Sequence, residues 1–377
     1  MKFMKNISIE NYKCLKNLRL NSLRRVNLIV GMNNSGKSTL LEAISIFAAN
    51  GEITQLKKVL ENRGIIFNFN REEENAAERE MENFSTLFTG LIDDSPIMNQ
   101  ISLSSDISNS DTQIVSIKFA TIVTEEVRTS RSGEMVTKRR VVRNDELPLM
   151  GDYYLEECLS VDQNHNNYAY LFGNRVVKGM PAKRLFPCEH VLTSDILSKT
   201  NPVYFDNIAL GVYEKELINA LRIIEPTIEN INFLKEQTRR VIIPREDNRV
   251  PYVICGQNKK RQRLSTMGDG INRILSIVLA MLNCENGVFL IDEFDNGLHY
   301  SVQTKLWRMI YHLAERLNIQ VFATTHSDDC IKSFIEADEN SEGKLIRLEN
   351  RGGEIVAVSY EEKDELEYIA TSNIEVR

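Results

Sequence analysis

The stretch Gly31-Met32-Asn33-Asn34-Ser35-Gly36-Lys37-Ser38 fits the pattern G-x-x-x-x-G-K-[ST]. Each residue type in it has a chemical reason. The glycines let the backbone fold tightly, so that successive N–H groups point at a β-phosphate. The N-terminus of the following helix adds its partial positive charge. Lys37 supplies a point charge for the β- and γ-phosphates, and Ser38 offers a hydroxyl to Mg²⁺. Far downstream, Val288-Phe289-Leu290-Ile291 runs into Asp292-Glu293. A buried parallel strand ending this way sets its acids at the carboxyl edge of a sheet, where ligands bind. There Asp292 can hold Mg²⁺ and Glu293 can act as general base on the attacking water. Apolar strands often end in acids, so the pair takes its meaning from the phosphate loop. The long separation implies a large insertion between them.

Two further stretches belong to the same chemistry. Leu264-Ser265-Thr266-Met267-Gly268-Asp269-Gly270 precedes a helix that contains Arg273. A serine and two glycines at a helix start form a second anion-cradling terminus. One nucleotide rarely needs two such ends from one subunit, and a head-to-tail dimer with the nucleotide sandwiched between them explains the pair. In Val321-Phe322-Ala323-Thr324-Thr325-His326-Ser327 a strand ends in polar residues. Beside Asp292 and Glu293, His326 would donate a hydrogen bond to a γ-phosphate or to the attacking water.

These groups need elements to hold them. Residues 3–11 and 17–30 read as strands, the second ending in the largely apolar Val26–Val30 region, and 38–49 has helical spacing. The charged run 71–83 reads as a solvent-facing helical segment. Residues 112–128 and 135–143 form a long β-hairpin, whereas 151–187 gives no clear pattern. A helix is predicted over 208–226, ending at a proline. Strands follow at 239–244 and 250–255, then a polar loop at 256–263. A helix over 269–282, the strand 288–291, a helix near 301–317, the strand 320–323 and a strand pair over 344–360 complete the chain. The alternation points to an α/β class. We divide the chain into an N-terminal lobe (1–190), a helical and β insertion (191–265) and a C-terminal lobe (266–377).

Composition narrows the alternatives. The 377 residues include 46 Lys+Arg against 53 Asp+Glu, a net charge of −7, with 42% hydrophobic residues. Such a chain can build a core and is not held to nucleic acid by bulk charge. No apolar run approaches the ~20 residues of a membrane span, and the N-terminus lacks a signal-peptide core. Six scattered cysteines without a CxxC pair argue against disulfides or zinc, and for a cytoplasmic protein.

Taken in order, GMNNSGKS, LSTMGDG, VFLIDE, NGLH and TTHS resemble the ABC-type ATPases of the bacterial OLD (overcoming lysogenization defect) group, relatives of the RecF and SMC ATPases. The opening ISIENYKCLKNL and the closing SNIEVR are also similar to that group's stand-alone members. The resemblance covers residues 1–50 and 205–377. It implies an ABC-type P-loop ATPase fold, with a β-rich N-terminal lobe, a helical insertion and a RecA-like core sheet. It implies ATP and Mg²⁺ as ligands. Gly31, Asn33, Asn34, Ser35, Gly36, Lys37, Ser38 and Thr39 would surround the phosphates, with Asn33 near the γ- and Thr39 near the α-phosphate. Ser38 and Asp292 would hold the metal, Glu293 would be the base and His326 the switch histidine. Ser265, Gly268 and Gly270 would act on the partner's nucleotide, Lys13 would approach the nucleotide, and Asn296–His299 would contact the other protomer. Gln113 is a candidate for the glutamine of the Q-loop.

The signature is not LSGGQ, and no heptad arm is present, so a transporter ATPase and a coiled-coil clamp are disfavoured. About fifty residues follow His326, too few for the Toprim nuclease domain of the larger OLD proteins. The expected function is an ATP-gated homodimer or higher homo-oligomer in defence against phage or foreign DNA, controlling an effector nuclease in trans. The alternative is a RecF-like DNA-repair clamp. DNA contact would use the basic residues of the hairpin (Arg128, Arg131, Lys138, Arg139, Arg140, Arg143) or the run Lys259-Lys260-Arg261-Gln262-Arg263. Along the chain, no aromatic residues interleave with either run.

Overall fold

A computed structural model of the chain describes residues 3–67, 75–90, 100–128, 135–142, 154–164, 166–173, 175–179, 183–193, 200–235, 247, 249–256, 260–360 and 365. The first predicted strand is β1 (Ile7–Tyr12). The run 17–30 is two strands rather than one. β2 (Leu15–Leu20) folds back antiparallel on β1, and a left-handed Ser22 separates it from the fully buried β3 (Val26–Val30). Helix α1 (Lys37–Ala48) follows the phosphate loop directly. Next come α2 (Ile53–Glu61), α3 (Ala76–Ser85) and β4 (Ile101–Ser105). Of the charged run 71–83, the described residues do not all face solvent. Glu80 is buried, ion-paired with Lys57 at 2.8 Å, and accepts a hydrogen bond from the Tyr170 hydroxyl. A carboxylate can be buried when its partners are buried with it.

The predicted hairpin is β5 (Gln113–Arg128) and β6 (Met135–Val142), antiparallel and in register from Thr121↔Val142 to Arg128↔Met135. Of its basic residues, Arg131 and Arg143 lie outside the described residues. The stretch without a readable pattern forms three more strands: β7 (Tyr154–Gln163), β8 (Asn166–Leu171) and β9 (Arg175–Lys178). Together these make an eight-stranded sheet in the order β2-β1-β4-β5-β7-β8-β9, with β6 on β5.

After β10 (Cys188–Val191) comes α4 (Asn201–Ile208), a helix not expected from the sequence pattern, and the helix predicted over 208–226 is the shorter α5 (Val212–Leu221). The break falls at Leu210, whose φ of 62° is left-handed, followed by Gly211. β11 (Ile228–Lys235) is not expected from the sequence pattern. β12 (Arg249–Cys255) is, and part of the expected loop is an edge strand, β13 (Lys260–Arg263). These three form an antiparallel sheet. The strand predicted at 239–244 lies outside the described residues, as does Lys259. A 3₁₀ turn (Leu264–Met267) leads into α6 (Asp269–Leu282). The final elements are β14 (Val288–Ile291), α7 (Tyr300–Arg316), β15 (Gln320–Thr324), α8 (Asp328–Ala337), β16 (Gly343–Arg351) and β17 (Glu354–Tyr360). Boundaries drawn at 190/191 and 265/266 cut through β10 and the 3₁₀ turn.

The central sheet has the order β10-β14-β15-β3-β16-β17, parallel except for β17. Its inner strands β3, β14 and β15 are buried throughout, and their residues alternate between two cores. Phe289, Ile291, Val321 and Ala323 face α6, α7 and the three-stranded sheet. Val288, Leu290 and Phe322 face α1 and the eight-stranded sheet. This explains the continuous apolar runs. It also sets the carboxyl ends of β3, β14 and β15 side by side, where the loops after them meet.

Candidate active site

The phosphate loop leaves β3 at Gly31, whose φ is 149°. A Cβ there would stand 2.5 Å from the Leu348 carbonyl oxygen of β16, so only glycine fits. Asn34 and Gly36 also have positive φ, 62° and 88°, and Gly36 caps α1. The loop is therefore curled, with the N-terminus of α1 at its floor. An open cavity of about 750 Å³ sits above it, lined by Asn33 through Thr39 together with Cys14, Arg63, Asp292 and Glu293. Its size and its mostly polar lining suit a nucleoside triphosphate.

Two stretches remote in sequence meet in this cavity. The Ser38 hydroxyl donates to Asp292 Oδ1 at 3.1 Å, and Thr324 Oγ1 donates to the same oxygen at 2.7 Å. Thr324 also accepts the Glu293 N–H at 2.8 Å. Thr324 is fully buried, and its place in TTHS signals only that a strand ends there. Glu293 adopts φ 46°, a left-handed conformation uncommon for a residue with a side chain. Behind it, the fully buried Arg273 of α6 donates to the carbonyls of Leu192, Asp292 and Glu293 at 2.7, 2.6 and 3.2 Å. A guanidinium so placed locks the turn that presents both acids.

Lys37 lies along its own loop, donating to the carbonyls of Gly31 and Met32 at 2.7 and 2.9 Å. Partial burial lowers its pKa below the usual lysine value, and the carboxylates of Asp292, Glu293 and Asp295 oppose that shift. An incoming polyphosphate would exchange those carbonyls for anionic oxygens. Among the described residues, no group of three or more His, Cys, Asp or Glu side chains converges as a metal cage. The hydroxyl of Ser38 and the carboxylate of Asp292 are hard oxygen donors 3.1 Å apart. Two protein oxygens, with the rest from water and phosphate, fit the way Mg²⁺ is held at phosphate sites.

Other predicted residues lie elsewhere. The Lys13 ammonium does not line the cavity. It is ion-paired with Glu42 at 2.8 Å, and burial lowers its pKa against that partner's pull. Glu42 also accepts from the Tyr12 hydroxyl at 3.2 Å and from Arg63 Nε at 2.6 Å. Arg63, not Lys13, is the cation that reaches the cavity wall. It sits in the turn after α2, outside any motif, so the sequence gives no signal for it. His326 follows the buried Thr325 at the same sheet edge but is exposed and outside the cavity lining. Gln113, the first residue of β5, donates to the Asp111 carbonyl and accepts from the Asn164 side-chain amide, also outside the lining. Ser265 and Gly268 lie toward the surface at the N-terminus of α6 and do not line their own protomer's cavity. Gly270 is packed inward: a Cβ there would meet the Gly297 carbonyl oxygen at 2.9 Å. The signature helix and the Asn296–His299 loop thus touch backbone to backbone.

Residues 1–134 and 192–331 match the family described as AAA ATPase domain. The chain belongs to that family. A Helicobacter pylori protein named ATP/GTP phosphatase is 25% identical over 354 residues, spanning 87% of this chain and 86% of its own. The DNA replication and repair protein RecF of Rickettsia massiliae is 44% identical over 45 residues, 12% of each chain. A solved Smc head domain derived from Pyrococcus furiosus, bound to the C-terminal domain of ScpA, superposes with a TM-score of 0.53 at 12% identity. That match covers 98% of this chain and 99% of the other. The protein is therefore an ATPase with the ABC-type P-loop fold. No helix among the described residues is long and apolar enough to cross a membrane.

Proposed function

We propose that this ATPase is a nucleotide-gated dimerisation switch. ATP bound in the phosphate-loop cavity of one protomer is covered by the Ser265–Gly270 segment of a second, arranged head to tail. The observation that carries this reading is the placement of the two helix ends. The α1 terminus is at the floor of the cavity, whereas the Ser265–Gly268 end of α6 lies toward the surface outside it. A single chain thus holds one half of each of two sites.

In this reading Lys37 binds the β- and γ-phosphates, and Asn33 and Thr39 flank the γ- and α-phosphates. Ser38 and Asp292 would hold Mg²⁺, which would supply positive charge to offset that of the phosphates. Glu293 takes the proton of the attacking water. Thr324 and Arg273 keep the two acids apart in direction, one toward the metal position and one toward the water. His326 and Asn296–His299 act only once the partner closes. Loss of the γ-phosphate removes the contacts between protomers and opens the assembly. By its resemblance to the OLD group, the switch works in the cytoplasm in defence against foreign DNA, with a nuclease in trans as effector. A RecF-like clamp is the second reading, favoured by the short RecF match.

The test is Glu293→Gln. Turnover is expected to fall by ~10²–10⁴-fold with ATP binding retained, and light scattering should show a persistent ATP-bound dimer. A variant that hydrolyses ATP at the parental rate, or stays monomeric with ATP, refutes the assignment.

A further inference from the structure

The three-stranded sheet beside the signature has one face in the core and one turned outward. Ile231 and Phe233 of β11 and Val253 of β12 point into the core. Register fixes what lies on the other face. Asn232, Tyr252 and Arg263 form one cross-strand row, and Asn230, Ile254 and Arg261 form the next. The asparagines and arginines are exposed, and Tyr252 and Ile254 are half-exposed. Neither row contains a carboxylate, on a chain whose net charge is −7. Read along the chain, the basic run has no aromatic neighbour. The fold supplies one from the adjacent strand: Tyr252 lies ~5 Å inward of Arg263 and diagonal to Arg261, which is ~7 Å further along the edge.

We propose that this face binds single-stranded nucleic acid. The arginines take successive backbone phosphates, Tyr252 stacks on a base, and the asparagine amides reach base edges. Flat sheet faces with an aromatic beside cations suit single strands, because stacking is indifferent to sequence and needs an unpaired base. A duplex offers only its phosphates to such a surface. The position adds a consequence. Arg263 directly precedes the 3₁₀ turn that carries Ser265, and its carbonyl accepts the Thr266 hydroxyl at 2.7 Å. An occupied sheet would therefore bias the segment offered to the partner's ATP. This second half rests on the dimer reading; the binding itself does not.

The experiment measures fluorescence anisotropy of a labelled dT20 strand and of a 20-base-pair duplex with the full chain. Nucleotide is absent, and KCl is varied. The expected result is a clear preference for dT20, with affinity falling as salt rises. Arg261→Glu should weaken dT20 at least tenfold and flatten the salt dependence by ~0.7 for each phosphate the variant no longer neutralises. Tyr252→Leu, which keeps an apolar side chain, should weaken dT20 about tenfold and the duplex little. Far-UV dichroism and melting check that both variants fold. The proposal is overturned if dT20 does not bind at low salt, or if Arg261→Glu binds like the parent, which would leave the basic edge a guard against strand pairing. Equal binding of duplex with indifference to Tyr252→Leu also overturns it, as does displacement of dT20 by polyglutamate at equal charge. Stimulation of ATP turnover by dT20 is read separately, so that a failed dimer and a failed binding surface are told apart.

Discussion

Two helices in this molecule begin at glycines that could receive phosphate, and they are built in opposite ways. Helix α1 is sandwiched between two sheets, buried from Thr39 to Ala48, and its N-terminus closes the floor of a cavity already furnished with Ser38, Asp292 and Glu293. Helix α6 is just as buried from Ile271 onward, yet its first residues and the turn before them face outward. The first is a site that can bind without help. In the proposed switch, the second acts only against another protomer. Arg273 and the Gly270–Gly297 contact tie the two together, since both join α6 to the loop carrying the acids.

That contrast can be broken at several points. Lys37→Ala should remove ATP binding by the isolated chain and lower turnover by ~10²–10³-fold, since one donor to developing charge is worth that much. Equilibrium binding of a fluorescent ATP analogue and phosphate release would both report it. Ser265→Arg should instead leave ATP binding intact and abolish only the dimer-dependent turnover, a loss of ~10²-fold. If it weakens nucleotide binding by the monomer as much as Lys37→Ala does, the two termini are not separate halves.

Arg273→Met probes the tie. Three buried carbonyls lose a charged donor, and leaving such groups unpaired costs about 3 kcal/mol. A loss of that size in urea-unfolding free energy is expected, with turnover lost beyond what stability explains. The smallest effect is in pH. Burial lowers the Lys37 pKa, so its ammonium is lost at lower pH than that of a free lysine. The alkaline limb of kcat/KM should therefore fall below pH 10.5. Lys37→Arg, always charged, should remove that limb even if its rate is lower.

Much of this site is visible in the amino-acid sequence, and the pattern of success has a physical cause. Helix 269–282 and strand 288–291 can be placed to the residue, because burial on every side writes a continuous apolar signal. The misses lie where that signal is diluted. β13 is four polar residues at a sheet edge, without periodicity, and β11 hides its buried Ile231 and Phe233 among Glu229, Asn230 and Asn232. The 208–226 pattern runs straight through Leu210, and nothing about a leucine announces the left-handed turn that delays the helix to Val212. In the site, residues inside motifs announce themselves, and those that position them do not. Arg63 owes its place to an element that packs from elsewhere, and Thr324, though inside TTHS, carries no sign of the hydrogen bonds it makes to Asp292 and Glu293. Lys13 is suggested by likeness alone, and its charge is already taken by Glu42.

Glu293 has one more implication. An L-residue held at φ 46° sits at a cost of order 1 kcal/mol that glycine or asparagine would largely avoid. A lineage drifting toward greater thermal robustness would be drawn to make that exchange, and in making it would give up the acid. With Glu293 as the proposed base, the awkward backbone is a place where endurance and turnover pull against each other.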